Sequence, residues 1–528
     1  MDSSQQIDPP PRAWLVGGGI ASLAAAALLI RDGGMAGRDI HVFEQSDVLG
    51  GSLDGAGSPE SGYVIRGGRM FEEHFVCTYD LFDSIPALDE SGKSVTQQIH
   101  EFTRRVVTSS RSRLVSDRRK IDGPAFGLSL KDKWDLMRLA IRREESLGTL
   151  HIEDYFSSNF FNSNFWFMWS TMFAFQPWHS LVEFRRYMRR FMHLLPGFNR
   201  MDGICRTPYN QFDSLVLPLY TWLKNQGVHF QMDSQVTRLD FDQQGSKASV
   251  ARIHHRIQKE ERSVDVHKED FVFVTLGSMT DDSSLGTMHS APPVPQPDGG
   301  AWSLWNNIAE QRPDFGRPSV FSSQVDRSKW ESFTVTLRSP AFFDLMQDFT
   351  GNMAGTGGLV TFKDSNWLMS VVLAYQPHFV NQPDDVHVFW GYGLFPDRVG
   401  NHVKRKMSEC SGEEILEELF FHLPFGDSAR EIIAEANCIP CMMPFITSQF
   451  MPRAPGDRPC VVPEGAGNFS FLGQFSEQPD DVVFTVEYSV RSAQRAVYSL
   501  LGLKKKPLPL FKGHHHPAIL FRAAKAML

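Results

Sequence analysis

The pattern of apolar and polar positions along the chain becomes regular at Ala13. The letters AWLV predict a buried strand, IASLAAAALLIR predicts a helix and DIHVFEQ predicts a second strand, with three glycines between the first strand and the helix. Strand, tight turn, helix and strand within about 30 residues are typical of a βαβ unit in a parallel sheet. The polar, proline-rich residues 1–12 that precede this unit are predicted to form a loose leader.

The rest of the chain alternates between helical and strand-like patterns. Residues 130–200 have helical periodicity, residues 318–395 contain alternating strand-like segments, and the stretch 291–300 is dense in proline and glycine, as at a domain boundary. We therefore predict an α/β fold in which a nucleotide-binding domain is interrupted by other modules. The predicted units are a discontinuous nucleotide-binding domain over 12–70, 200–290 and 438–500, a mainly helical, aromatic-rich module over 71–199, a sheet-containing domain over 300–437 and a basic, apolar tail over 501–528.

Composition narrows the class of protein further. The 528 residues include 53 basic and 61 acidic side chains, and the net charge of −8 argues against non-specific binding of nucleic acid. Six cysteines are too few and too scattered for a disulfide framework. The N-terminus has no basic and apolar segments of the kind that signal peptides carry, and no apolar run approaches the roughly 20 residues that span a bilayer. We therefore expect a cytoplasmic protein.

The first turn between strand and helix carries the pattern of a dinucleotide site. Gly17 permits the tight turn, Gly19 lets the backbone approach a pyrophosphate, and Ile20, Ala21 and Ser22 complete a G-x-G-x-x-G motif with serine in the last place. Glu44 and Gln45 end the second strand, where a carboxylate can accept hydrogen bonds from a ribose. The sequence therefore predicts dinucleotide binding.

Two further motifs favour FAD as the dinucleotide. Gly50, Gly51 and Ser52 resemble the glycine doublet that follows the second strand in FAD enzymes of the glutathione-reductase type, and Gly473, Gln474 and Phe475 resemble their late flavin-site strand. A second G-x-G-x-x-G is absent from the sequence, so a separate NAD(P)H domain is not indicated. We predict a Rossmann-like FAD domain with inserted helical and antiparallel-sheet substrate domains.

Three features remain open or favour a structural reading. Cys438 and Cys441 have the spacing of a redox dithiol, but buried structural cysteines are favoured because the pair lies far from the first βαβ unit. The run His514–His516 is interpreted as a solvated tail, and no metal is predicted. Eleven aromatic residues between Tyr155 and Trp178 predict either a buried helical core or the wall of a hydrophobic channel, and periodicity does not separate the two.

Several segments resemble the oleate hydratases, a fatty-acid hydratase family once called myosin-cross-reactive antigens. The matching segments occur in the order of that family between about residue 13 and residue 495, and they are 63–69 (YVIRGGR), 165–191 (FWFMWSTMFAFQPWHSLVEFRRYMRRF), 206–211 (RTPYNQ), 274–280 (VTLGSMT), 376–379 (QPHF) and 440–444 (PCMMP). The resemblance implies a lyase that adds water across the cis-9 double bond of oleate. Because hydration changes no net oxidation state, the implied FAD acts without redox turnover.

The resemblance also implies roles for particular residues. Tyr209 matches the family's proton donor, and the family's glutamate after R-G-G-R orients or deprotonates the attacking water. In the matching segments we expect cofactor contacts from Arg66, Gly67, Gly68, Arg69, Gly277 and Ser278, and substrate contacts from Asn210, Gln211, His378, Phe175 and Trp178.

This chain departs from the family pattern at two places. Met70 and Phe71 follow R-G-G-R, so the catalytic carboxylate is predicted to come from Glu72 or Glu73, unless both are solvated residues at a helix start. Val372 and Ala374 occupy positions where polar side chains are expected, which leaves the anchoring of the substrate carboxylate open. Two alternative functions therefore remain, an FAD oxidoreductase of the desaturase or amine-oxidase type and a fatty-acid-binding relative with impaired catalysis.

The C-terminal residues 503–528 differ in charge from the rest of the chain. They carry six lysines or arginines and no acidic side chain. An apolar helix with basic residues can lie in a membrane interface, where each basic residue contributes about 1 kcal/mol. We predict either peripheral contact with anionic membranes or a tail that packs back onto the protein.

Overall fold

Two large sheets, a three-stranded sheet of β10, β11 and β12, two short two-stranded sheets and the helices around them make up the described part of the chain. The computed structural model describes residues 10–89, 91–123, 125–244, 247–294 and 300–527, so most of the predicted leader and part of the predicted boundary at 291–300 lie outside the described residues. The strands are β1 (Ala13–Val16), β2 (Ile40–Phe43), β3 (Gly55–Ser58), β4 (Gly62–Ile65), β5 (Phe71–Glu72), β6 (Ser112–Ser116), β7 (Arg119–Asp122), β8 (Ile204–Cys205), β9 (His229–Gln231), β10 (Ser234–Gln244), β11 (Lys247–Ile257), β12 (Glu260–Asp265), β13 (Phe271–Thr275), β14 (Ser284–Leu285), β15 (Trp330–Leu337), β16 (Leu359–Phe362), β17 (Met369–Val372), β18 (His387–Gly393), β19 (Asn437–Met443) and β20 (Phe469–Leu472).

The α-helices follow the same order along the chain. They are α1 (Ile20–Arg31), α2 (Val76–Asp83), α3 (Val95–Arg105), α4 (Leu130–Ile141), α5 (Ser158–Phe161), α6 (Asn164–Phe173), α7 (Leu181–Arg190), α8 (Leu217–Asn225), α9 (Gly300–Gln311), α10 (Ser319–Ser322), α11 (Val325–Ser328), α12 (Ala341–Thr350), α13 (Gly412–Phe421), α14 (Ser428–Glu435), α15 (Val486–Leu500) and α16 (Pro517–Met527). None of the helices in these ranges combines the length and the apolarity needed to cross a membrane.

The predicted βαβ unit forms the centre of a five-stranded parallel sheet with the order β20–β13–β1–β2–β9. Strand β1 is buried along its whole length and pairs with β13 on one side and β2 on the other, which explains its uninterrupted apolar sequence. The alanines of α1 are buried as well, and α1 packs closely against α15. The α/β, Rossmann-like fold class is confirmed.

The second sheet has eight strands in the order β14–β19–β15–β18–β17–β16–β6–β7. Its pairs are antiparallel except for β6 with β16, which run parallel. This sheet takes β6 and β7 from the segment predicted as mainly helical and β19 from the segment assigned to the nucleotide domain. Strand β6 pairs with β16, more than 200 residues away, and β19 pairs with β15, about 100 residues away, so local patterns do not reveal their place in this sheet.

The aromatic segment forms a packed core for most of its length. Trp169 on α6 lies 5.4 Å from Phe165, 5.5 Å from Phe184 on α7 and 5.4 Å from Phe198, measured between ring centroids. Contacts of this length are typical of edge-on and offset aromatic pairs in protein interiors. At the C-terminal end of α6, Thr171 and Met172 border one cavity, and Met172 and Phe173 border a smaller one.

The two cysteines with dithiol spacing lie on strand β19. Cys438 pairs across the sheet with Val335, whereas Cys441 pairs with Ser332. Residues three apart on a strand point to opposite faces of the sheet, so the two thiols cannot meet. Both are buried and free, which agrees with the structural reading.

Candidate active site

The glycine turn after β1 has the geometry of a phosphate-binding loop. Gly17 adopts a left-handed φ of 91°, and its amide donates to the carbonyl of Phe43 over 2.9 Å. Gly19 is the N-cap of α1, where no side chain caps the helix, and a Cβ added there would meet no atom within 4 Å. The free amides of the first helical turn and the open space before Gly19 fit an anionic group such as a pyrophosphate.

Glu44 holds this turn and also lines the cleft in front of it. One carboxylate oxygen accepts from the amide of Gly18 over 2.7 Å, and the other accepts from the amide and hydroxyl of Ser46, each over 2.8 Å. The side chain is therefore fixed at the end of β2, with its carboxylate at the edge of the cleft.

The cleft has a volume of about 1550 Å³. The predicted cofactor residues that line it are Gly17, Gly19, Ile20, Ala21, Glu44, Gln45, Gly50, Gly51, Ser52, Arg66, Gly277, Ser278, Gly473, Gln474 and Phe475. Ser22 does not line it, because its hydroxyl faces that of Thr275 at 3.0 Å. Arg69 and Gly68 border a neighbouring cavity instead, and Gly67 packs beside Trp390.

Asp281 is a cleft residue that the sequence analysis missed. One oxygen lies 3.3 Å from Nε2 of Gln45, and the other accepts from the amide of Ala301 at the start of α9 over 3.0 Å. Burial and the neighbouring Asp282 raise the pKa of Asp281 to about 6. The only sequence signal was its place directly after the matching segment 274–280.

A second, mainly apolar cavity of about 880 Å³ lies beside the first cleft. The loop after β4, the segment after β8 and strands β17 and β18 bring its walls together. The lining residues are Ile65, Gly68, Arg69, Met70, Phe102, Thr171, Met172, Ala174, Arg206, Thr207, Pro208, Tyr209, Gln211, Trp330, Leu359, Val372, Ala374, Tyr375, His378, Trp390, Tyr392 and Phe484.

Tyr209 and Gln211 are held in this wall by local hydrogen bonds. The amide of Tyr209 donates to the hydroxyl of Ser214 over 3.2 Å, and its carbonyl accepts from the hydroxyl of Thr207 over 2.6 Å. Gln211 accepts from the amide of Arg69 over 3.0 Å. The segment 206–211 and the R-G-G-R loop are thereby joined as one wall of the cavity.

Three of the predicted substrate residues do not line the cavity. The side-chain amide of Asn210 donates to the carbonyl of His378 over 3.1 Å, so it positions that loop. Phe175 is buried in the aromatic core, 4.3 Å from the ring of Phe450, and Trp178 donates its indole N–H to the carbonyl of Arg327 over 2.8 Å. These three residues are not among the lining residues of this cavity, and their contact with substrate stays a prediction.

Two guanidinium groups line the cavity, and no carboxylate in the described ranges forms an ion pair with either of them. Arg206 has buried Nε and Nη2 atoms with no hydrogen-bond partner, and burial lowers its pKa to about 10. Arg69 has an unpartnered Nη2 and lies over the ring of Phe484 at 4.7 Å. A buried charge without a partner is costly, so both groups favour an anionic or strongly accepting ligand.

His378 faces the same space as Arg206. Burial, with a further contribution from the positive charge of Arg206, lowers the pKa of His378 to about 4. The imidazole is therefore neutral at pH 7. The sequence analysis included His378 but missed Arg206, although it lies in the matching segment 206–211.

Glu72 is enclosed in a network of cations and donors outside this cavity. One carboxylate oxygen forms an ion pair with Arg190 at 2.7 Å, and the other accepts from Nδ1 of His74 over 2.8 Å and lies 3.3 Å from Nε2 of His193. Burial raises the pKa of Glu72, but the bonds from His193 and His74 and the charge of Arg190 outweigh it and hold the pKa well below its usual range.

Neither of the two glutamates reaches the cavity that holds Tyr209. Glu72 borders a smaller adjoining cavity of about 590 Å³, which shares Arg69 and Met70 with the larger one. The Glu73 side chain is 76% exposed. The lining residues of the Tyr209 cavity, as far as the chain is described, include no carboxylate.

The cluster of Glu72, His74 and His193 is the one group with metal-ligand spacing in the described ranges. Arg190 already supplies the positive charge that Glu72 requires. We therefore assign no metal to this cluster, and the absence of a metal from the reaction stays a prediction.

Comparison with known proteins identifies the family. The sequence profile of the MCRA family matches residues 11–498. An oleate hydratase from Streptococcus pyogenes serotype M49 (strain NZ131) is 42% identical over 502 residues, which cover 93% of this chain and 85% of that protein. A linoleate hydratase from Lactiplantibacillus plantarum is 31% identical, with 98% of both chains covered.

Solved structures share the fold at low sequence identity. Cyclohexylamine oxidase from Brevibacterium oxydans IH-35A has a TM-score of 0.52 at 14% identity, over 94% of this chain and 99% of that chain. A putrescine oxidase has a TM-score of 0.53 at 14% identity, over 93% and 99% of the two chains. These likenesses support the fold alone. The family follows from the profile match and the sequence identities over nearly the whole chain: this protein is a member of the MCRA family.

Proposed function

We propose that this protein hydrates the cis-9 double bond of oleate to give 10-hydroxystearate, with FAD bound in the first cleft. The observation that carries the proposal is the Tyr209 phenol in an apolar cavity that also holds two unpaired guanidinium groups. That combination fits a long apolar chain with one anionic end, and both curated relatives are named as hydratases of unsaturated fatty acids.

The first cleft fits FAD by its own geometry. The open space before Gly19 and the uncapped start of α1 suit the pyrophosphate, and Glu44 suits the adenosine ribose. When bound, FAD would shape and polarise the site without redox turnover. No electrons need to be transferred, because the addition of water leaves the oxidation state of the substrate unchanged overall.

We assign the proton transfer to Tyr209. Its phenol donates a proton to C9, positive charge develops at C10, and water adds there and then loses a proton. The apolar walls exclude bulk water from the developing cation. The proton that the added water loses returns to the phenolate of Tyr209 and restores the phenol. Glu73 is not the acceptor, because its side chain faces solvent.

Arg206 and His378 are proposed to hold the substrate carboxylate. Arg206 offers two buried N–H donors that lack an acceptor, and the neutral ring of His378 can add a further donor. Charge-assisted hydrogen bonds of this kind are among the strongest in proteins. They compensate for Val372 and Ala374, the apolar residues at the positions where polar partners are expected.

Oxygen-18 labelling tests the reaction directly. The holoprotein is incubated with oleate in oxygen-18 water without oxygen or an electron acceptor, and the product is analysed by mass spectrometry. A hydroxy fatty acid with one labelled oxygen is expected. If oleate stays unchanged, the second candidate function, a fatty-acid-binding relative with impaired catalysis, is favoured. The observation behind this candidate is Met70, which stands where the family has its glutamate.

The predicted role of Glu72 can be separated from a structural one. Glu72→Gln is expected to destabilise the fold by about 3–5 kcal/mol, because it leaves Arg190 buried without its partner. Glu73→Gln is the matched control and should keep both stability and hydration rate, since its side chain is exposed. Thermal unfolding and hydration assays on the folded fraction measure both effects. Full stability with lost activity in Glu72→Gln would instead assign it a catalytic role.

Glu44→Ala is expected to weaken FAD binding about tenfold or more. The ribose loses charge-assisted hydrogen bonds worth roughly 1.5–3 kcal/mol each, and the glycine turn loses the acceptor for Gly18. Fluorescence titration of the apoprotein with FAD measures the affinity. Glu60→Ala, which removes an exposed carboxylate between β3 and β4, is the control. If Glu44→Ala and the wild type bind FAD with equal affinity, the ribose does not contact Glu44.

We propose that the protein is cytoplasmic and that its C-terminal tail contacts the surface of anionic membranes while the tail stays packed on the protein. Ile519 and Ala523 of α16 are buried against the body, whereas Leu520 and Phe521 are exposed. Phe511 stacks on His74 at 3.6 Å between ring centroids. Part of the tail is therefore anchored and part of it is free for a lipid surface.

We expect the protein to sediment with anionic vesicles at low salt and to be released at high salt. Truncation after Leu503 should weaken this binding, and the paired change Leu520→Ser and Phe521→Ser should weaken it without disturbing the buried face of α16. Equal binding by both variants would exclude a membrane role for the tail.

The four predicted domains remain a proposal. The parallel sheet draws its strands from residues 13–16, 40–43, 229–231, 271–275 and 469–472, which supports a discontinuous nucleotide domain. Limited proteolysis of the holoprotein should cut between the proposed units before it cuts within them.

A further inference from the structure

Helix α4 presents a row of large apolar side chains to solvent. The exposed fractions are 73% for Leu130, 63% for Trp134, 37% for Met137 and 83% for Ile141. These residues are spaced by four, three and four positions, so they lie along one face of the helix. Single exposed apolar residues are common on protein surfaces, but a continuous row marks an interaction site.

The opposite face holds the helix in place. Leu136 and Leu139 are buried in the main core, and Ser129 and Asp132 form a capping box at the N-terminus. Tyr155 donates its hydroxyl to the carbonyl of Asp135 over 3.2 Å. The apolar row therefore cannot turn inwards without breaking a packed and capped helix.

The charges around the row are mainly positive. Arg138, Arg142 and Arg143 are exposed, and the acidic residues of the helix, Asp132 and Asp135, are buried. Lys131 is also exposed, but it pairs with Asp135 at 2.6 Å. Glu145 is an exposed carboxylate in the following turn. The exposed face thus combines apolar side chains with cations in a protein whose net charge is −8.

We propose that α4 is an interfacial helix that docks this protein on an anionic lipid surface. Large apolar side chains enter the boundary between headgroups and acyl chains, and flanking cations bind the anionic headgroups. A helix of 12 residues is roughly 18 Å long, and four side chains on it cover much less than the about 800 Å² that each partner of a stable protein complex buries. The area and the charge therefore favour lipid over a second copy of the chain.

The position of α4 agrees with membrane contact by more than one element. Glu144, three residues after the end of α4, pairs with Arg186 of α7 at 2.6 Å, and Arg189 of α7 contacts His514 of the tail. The segment after α4 and the tail therefore both contact α7. The proposal is independent of the hydration chemistry, since none of the row residues lines the cavity of Tyr209.

Vesicle co-sedimentation of the full-length holoprotein tests the proposal. Vesicles of phosphatidylglycerol and phosphatidylcholine are the probe, and vesicles of phosphatidylcholine alone are the comparison. The paired change Trp134→Ser and Ile141→Ser is expected to lower the partition onto anionic vesicles at least tenfold. A second variant, Arg138→Glu with Arg142→Glu, is expected to lower it and to reduce its dependence on salt.

The matched control is Leu285→Ser with Val399→Ser, which removes two exposed apolar residues outside α4 and should leave the partition unchanged. FAD content and thermal unfolding confirm that each variant is folded. Undiminished partition by the folded Trp134→Ser, Ile141→Ser protein overturns the proposal. The proposal is also overturned if sedimentation velocity finds a wild-type dimer that this variant converts to monomer while vesicle binding persists, because the row would then be an interface between copies.

Discussion

Tyr209→Phe is expected to lower the rate of oleate hydration by about 10²-fold or more, with FAD content and stability unchanged. The substitution keeps the ring that lines the cavity and removes the hydroxyl that donates the proton. The hydrogen bonds that fix residue 209 are made by its backbone, to Ser214 and Thr207, so the loop should keep its position.

The initial rate of 10-hydroxystearate formation is measured, with flavin absorbance for the FAD content and thermal unfolding for the stability. Tyr375→Phe is the matched control, because it removes a second phenol from the same cavity. If the rate falls equally in both variants, the two hydroxyls contribute only to the polarity of the cavity, and Tyr209 has no special role as proton donor. A wild-type rate in Tyr209→Phe would remove this residue from the mechanism.

Arg206→Met is expected to weaken the binding of oleate by about 10-fold to 100-fold. Methionine replaces the aliphatic part of the arginine side chain, but it cannot offer the charge-assisted hydrogen bonds worth about 1.5–3 kcal/mol each. The same change removes a buried charge that has no counter-ion in contact, so the protein without substrate should become more stable. If Arg206 had a purely structural role, its replacement would lower both the stability of the protein and its affinity for oleate.

Comparison of a charged and an uncharged ligand isolates the contribution of Arg206. The affinity for oleate and for oleyl alcohol is measured on the wild type and on Arg206→Met. Only the affinity for oleate should fall, because the alcohol has the same chain and no negative charge. An equal loss for both ligands would mean that Arg206 shapes the cavity and does not recognise the carboxylate.

Met70, the residue after the R-G-G-R segment, lines the same cavity as Tyr209 and Arg206. Its side chain borders both the Tyr209 cavity and the smaller one beside Glu72. A carboxylate at position 70 would therefore lie next to Arg69, whose Nη2 has no partner. With methionine at this position, the described lining of the cavity contains the guanidinium groups of Arg69 and Arg206 and no carboxylate.

The sequence by itself determined the features that depend on short stretches of chain. The apolar run of β1, the glycines at 17 and 19 and the carboxylate of Glu44 lie within 32 residues, and each acts through local geometry. A left-handed φ at Gly17 and an uncapped helix start are properties of neighbouring residues. The dinucleotide-binding turn could therefore be predicted without a view of the rest of the protein.

Only the tertiary structure decided the features that depend on distant neighbours. Glu72 and Glu73 are adjacent in sequence, yet one is enclosed by Arg190 and His193, more than 100 residues away, and the other faces solvent. Arg206 stands out because no acidic group among the described residues forms an ion pair with it, and this depends on the residues that packing brings around it. Burial and charge compensation are set by long-range packing, and for this reason the aromatic core, the unpaired guanidinium groups and the exposed row on α4 became visible only in three dimensions.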